Sequence, residues 1–300
     1  MKAEKKRAGI KAQIRAENER DRRIATAVFL AVILVSAALS AYFGYTILNP
    51  SAPADSVEPT LQFKPENPNP ELKAAIVDQL SLTFPNQAFV EAAANTLRQA
   101  GYTVDYYSGE KVTVGFYRSL PEHGYGFIVL RVHSTATQVG GVEGPVTFFT
   151  SERATQTKYV YEELTDRLLP VAYSEEQRQQ GITYFGITPS FVTNSMNGGF
   201  QNTVVVMMGC QGLVNPSMAQ AFVQKGAKAY IGWQSEVSGS RTDTATVDLL
   251  RHFVTESLTL KGALQETFKE VGPDPSHGSL LVCYPLEMKD KTMENIRSQG

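Results

Sequence analysis

Ile24 to Leu48 contains no charged residue, and its centre, Val28 to Leu39, is almost wholly apolar. At 1.5 Å of rise per residue a helix of this length exceeds the ~30 Å hydrocarbon core of a bilayer, so it can span with some tilt. Tyr42, Phe43 and Tyr45 fall at one end, where aromatic rings favour the headgroup region. Residues 1–23 are crowded with Lys and Arg, including Lys5, Lys6, Arg7, Arg22 and Arg23. The positive-inside bias then keeps the N-terminus cytoplasmic and puts everything after Leu48 outside. The expectation is a single-pass protein of the cytoplasmic membrane, with the bilayer as one partner and an extracytoplasmic domain on the C-terminal side. The competing reading is a cleaved secretory signal, suggested by the small residues of Ser36 to Ala41. The apolar run is longer than the usual signal core, which favours the anchor.

After the anchor, residues 49–70 hold Pro50, Pro53, Pro59, Pro65, Pro68 and Pro70. That density fixes backbone angles and removes donors, so the stretch reads as an extended stalk. Residues 71–300 are long enough for one domain with a substantial core. The formal net charge of −2 mixes the basic tail with a mildly acidic outer part. No basic stripe or Arg/aromatic interleaving is present, which argues against a nucleic-acid partner. Two cysteines, Cys210 and Cys283, are too few for a disulfide scaffold. There is no Cys/His metal spacing and no P-loop, so no metal or cofactor is expected.

The folded part alternates between strand and helix periods. Strands are expected at 80–84, 102–107, 127–132, 145–150, 203–208, 229–233 and 280–284. Helices are expected at 87–99, 217–224, 243–258 and 260–271, while 112–120 fits either period. Residues 151–199 are the least readable. Such alternation indicates an α/β fold with a mainly parallel sheet covered on both faces. Ligands in such sheets collect beyond the carboxyl ends of central strands. Two of the most apolar strands end there in chemistry. Phe127 to Val132 runs into His133-Ser134, and Thr203 to Met208 runs into Gly209-Cys210-Gln211-Gly212. A thiol near a base is a nucleophile. Gly209 and Gly212 let the backbone turn sharply and present amides.

The stretch Val204 to Gly212, then Met218 to Trp233, then Thr242-Asp243 and a helix, resembles the caspase-like cysteine peptidases, most of all the gingipain, separase and CHAT-domain branch. The resemblance implies a three-layer α/β/α caspase-like fold and a His/Cys dyad of His133 and Cys210. It also implies an oxyanion site built on the Cys210 turn and Ser134, and a substrate-binding role for Asp243 opposite a basic residue. Asp243 also reads as a helix-cap or first-turn acid. Two departures from the family stand out: Ser134 occupies a position usually held by Gly, and the long His133–Cys210 spacing requires an insertion at about 140–200. The implied function is a membrane-anchored cysteine endopeptidase acting on a protein or peptide substrate. The alternative is a non-catalytic caspase-like surface protein that binds a partner or envelope component.

Overall fold

The computed structural model describes residues 57–66, 69, 71–139 and 142–298. The expected transmembrane helix and its basic tail lie outside the described residues. Among the described residues no helix is long and apolar enough to cross a membrane.

The described chain is a mixed α/β fold on a mostly parallel seven-stranded sheet. Its strands are β1 (Leu61–Phe63), β2 (Lys73–Asp78), β3 (Thr103–Ser108), β4 (Phe127–Arg131), β9 (Val204–Met207), β10 (Ala229–Trp233) and β11 (Leu281–Tyr284). Their spatial order is β1-β3-β2-β4-β9-β10-β11. Only β1 and β11, at the two edges, run antiparallel to their neighbours. The central strands read as continuous apolar runs because both faces are covered. Alternate residues serve two cores. Ala75, Val77, Ile128, Leu130, Val205 and Met207 face one, while Ala74, Ile76, Phe127, Val129, Val204 and Val206 face the other.

The second core is closed by α1 (Gln87–Gln99), α7 (Gly239–Leu250), α8 (Leu260–Val271) and α9 (Met293–Arg297). Helix α1 buries Phe89, Val90, Ala93, Ala94 and Leu97, the three- and four-residue spacing of an amphipathic helix. Asn86 caps it, accepting from the amide of Phe89. The first core is closed by α2 (Val114–Ser119), α5 (Pro189–Ser195) and α6 (Ser217–Gln224).

A four-stranded antiparallel sheet packs on this first side: β5 (Ser134–Val139), β6 (Val142–Arg153), β7 (Leu168–Val171) and β8 (Tyr184–Ile187), in the order β5-β6-β8-β7. Between them lie the short helices α3 (Val160–Leu164) and α4 (Glu175–Gln179). The long spacing between His133 and Cys210 therefore accommodates this second sheet, carried on residues 134–187.

Three expectations are corrected. Leu61–Phe63, inside the stretch read as a stalk, pairs with β3 as an edge strand. An edge strand tolerates neighbouring prolines because its outer amides need no partner. Residues 80–84 are no strand: Gln79–Leu82 is a 3-10 turn, and the strand lies just before it at Lys73–Asp78. Helix α7 begins at Gly239 and ends at Leu250, followed by a π turn over Arg251–Thr255.

Candidate active site

Parallel pairing between β4 and β9 sets Phe127 against Val204 and Leu130 against Met207. Beyond the paired residues, β4 runs on to His133 and β9 to Cys210. Both residues line one cleft of about 310 Å³, whose other walls are Leu80, Thr83, Phe84, Val132, Met208, Gly209, Val237, Gly239 and Thr242. The topology thus brings together the thiol and the imidazole singled out in the sequence.

The cysteine turn is built by close approach. A side chain on Gly209 would collide with the Val132 carbonyl and the Ser134 hydroxyl, and one on Gly212 would meet Met207. Gln211 takes a left-handed conformation, with φ of 57°. It is held by its amide, which donates to the Ser235 carbonyl (2.8 Å), and by its side-chain oxygen, which accepts from the Ala136 amide (2.8 Å). Ser134 Oγ donates to the carbonyl of Cys210 at 2.5 Å. Ser134 therefore ties the start of β5 to the cysteine turn, a function that glycine could not perform. Its amide lies on the unpaired side of β5. The Phe149 amide donates to the His133 carbonyl, so the next pair, Ser134 and Phe148, is the non-hydrogen-bonded kind.

His133 is fixed from three sides. Its Nε2 lies 2.8 Å from Thr83 Oγ1, its amide donates to Gln79 Oε1, and its ring stacks on Tyr173 with centroids 5.4 Å apart. Phe149 of β6 adds a tilted contact at 5.9 Å. Burial, with the Arg131 charge assisting, pushes the imidazole down to about 4. The Cys210 thiol is half-buried and donates to the Val237 carbonyl at 3.4 Å. Burial pushes its pKa up, and the charges of Glu236 and Asp274 push the same way. At neutral pH the pair therefore rests as a neutral thiol and a neutral imidazole, each hydrogen-bonded elsewhere.

Asp243 does not face the cleft as the sequence suggested. It is 4 % exposed. Both its oxygens accept from Arg131, Nε to Oδ1 at 2.8 Å and Nη2 to Oδ2 at 3.0 Å. Asn86 Nδ2 donates to it as well. It sits inside α7, past the first turn, so the helix-cap reading fails too. Arg131 is wholly buried and also donates from Nη1 to Asp78 (2.7 Å) and from Nη2 to the Phe84 carbonyl. Burial alone would lower the guanidinium pKa, but Asp243 and Asp78 hold it above its ordinary value. The same burial pushes the Asp78 carboxyl up against the pull of Arg131. This network pins the 79–86 segment, and with it Thr83 and Phe84, to the end of β4.

Sequence reasoning missed Thr83, Gln79, Phe149, Tyr173 and the Arg131 network. One signal was available. An arginine inside the apolar run Phe127 to Val132 cannot be buried without anionic partners. Cys283 is buried in β11 and unpaired. Away from the cleft, His252 pairs with Glu256, His123 stacks on Tyr125 and His277 lies near Glu236.

No family model matches the chain, and no curated protein matches it. Among solved structures it is similar to the crystal structure of the Arg specific cysteine proteinase gingipain R, with TM-score 0.40 and 10 % identity. The match covers 78 % of this chain and 48 % of that one, about half its length. It is a likeness at the level of the fold alone.

Proposed function

We propose that this chain is a membrane-anchored, caspase-like cysteine endopeptidase whose extracytoplasmic domain uses Cys210 as nucleophile and His133 as general base. The observation that carries the reading is that adjacent parallel strands deliver both side chains to the wall of one cleft. In the tautomer whose Nε2–H donates to Thr83 Oγ1, Nδ1 keeps its lone pair. It takes the thiol proton as sulfur attacks the peptide carbonyl, then gives it to the leaving amine. Water releases the thioester. The amides of Cys210 and Ser134 hold the oxyanion, with Gly209 and Gly212 giving the turn its shape.

The substrate side chain is read from the cleft. Leu80, Phe84, Val132, Met208 and Val237 make its walls apolar, and Asp243 is held by Arg131. An uncharged apolar residue before the scissile bond fits this better than a basic one. Cleavage of a peptide library by the full chain tests the reading. Cleavage after apolar residues, lost in Cys210→Ala, is the expected result. Cleavage that persists in Cys210→Ala, or preference for Arg or Lys, contradicts it.

A non-catalytic binding protein is the second reading. It draws on the resting hydrogen bonds of Cys210 to Val237 and of His133 to Thr83. Under it, Cys210→Ala leaves partner binding and all processing unchanged.

A further inference from the structure

A second and larger cavity, of about 700 Å³, opens on the far side of the sheet edge, between α8, β11 and the turn that follows β11. Trp233, Leu264, Phe268, Leu281 and Leu286 make it apolar. Phe268 and Leu286 are respectively 50 % and 71 % exposed at its rim. Ligand cavities are of this size, mostly apolar, with a few placed polar groups.

Three features point to the chemistry of an occupant. Lys261 and Lys289 line the cavity, and neither forms an ion pair among the described residues. Lys269, also on the wall, is taken by Glu266 at 2.5 Å. Thr267 is 3 % exposed and lines the cavity, yet its hydroxyl has no hydrogen-bond partner. A buried hydroxyl without a partner is costly, and a bound acceptor would supply one. Cys283, buried in β11, lies on the same wall as Lys289.

We infer that this cavity binds a free single-chain amphiphile, with its apolar chain against Trp233 and Leu264 and its carboxylate held by Lys261 and Lys289. Lysine stems cover apolar surface while their ammonium groups stay at the water boundary, which suits a head-and-tail ligand. The inference stands apart from the cleft that holds Cys210.

Trp233 is the only tryptophan of the chain, so its emission reports this wall. The test titrates the full chain, carried in phosphatidylcholine nanodiscs, with dibrominated stearate, whose bromines quench an indole on contact. Saturable quenching is expected, weakened about tenfold or more in Lys261→Gln/Lys289→Gln, since each charge-assisted contact contributes roughly 1.5–3 kcal/mol. The uncharged methyl ester should bind the unaltered chain as weakly as the acid binds that variant. Thr267→Val should weaken the acid alone. Three results would overturn the inference: no saturable quenching, equal quenching by acid and ester, or quenching by brominated disc lipid without added acid, which would make the patch a bilayer contact. Displacement of the acid by extended apolar peptides, with no effect of the lysine variant, would reassign the groove to strand addition at β11.

Discussion

His133 is held in its neutral form by burial, with a pKa of about 4 against an ordinary value of 6.5. Between those values the unfolded chain binds more protons than the folded one, so stability falls as pH drops from 6.5 towards 4. The full effect is about 3 kcal/mol. His133→Gln should flatten the profile in that window, as read by urea denaturation at stepped pH. An unchanged slope would place the imidazole in water. Arg131 gives the larger stability effect. Replacing it with Leu strands Asp78 and Asp243 in the interior and should cost about 3–5 kcal/mol. Adding Asp78→Asn and Asp243→Asn should restore part of the loss. The buried arginine was legible as an anomaly in an apolar strand. Its partners were not, because 53 and 112 residues separate them from it in the chain.

At the scale of elements, the second sheet supplies the aromatic wall of the histidine. Phe149 comes from β6, and Tyr173 follows β7 and anchors its hydroxyl on the Thr150 carbonyl. Tyr173→Ala should admit water to the ring and move the His133 pKa back towards 6.5, as followed by NMR titration of the imidazole. A pKa still near 4 would show that Tyr173 is not what keeps water from the ring. Much of the element pattern was readable in advance. The expected bounds of α1, α6, β10 and α8 match those observed because their apolar spacing is regular and their ends are marked. Asn86 marks one start, and Gly226 and Gly272 follow two ends. Of the second sheet only β6 was readable, through the expected strand at 145–150, since β7 and β8 are four-residue strands set among polar turns. Residues 80–84 misled because Leu80, Leu82 and Phe84 alternate like a strand, while the true strand before them holds the small Ala74 and Ala75.

At the scale of the molecule, the two cavities are joined by a short polar link. Trp233 Nε1 donates to Thr242 Oγ1 at 2.9 Å, and Thr242 Oγ1 donates to the Met208 carbonyl at 2.8 Å, two residues before Cys210. Thr242→Val leaves both groups unpaired and should cost about 1–3 kcal/mol while changing Trp233 emission. Unchanged stability and emission would sever the link. The proposed anchor makes its own prediction: the full chain should stay with membranes through alkaline extraction, and removal of residues 1–48 should release it. The proposed chemistry depends on Cys210 and His133 working as a pair. Its most direct test is the rate at which a peptide electrophile carrying an apolar side chain labels Cys210, measured by mass spectrometry in the unaltered chain and in His133→Ala. Labelling is expected at Cys210 rather than Cys283, slowed about a hundredfold without the imidazole. Equal rates in the two proteins would contradict it.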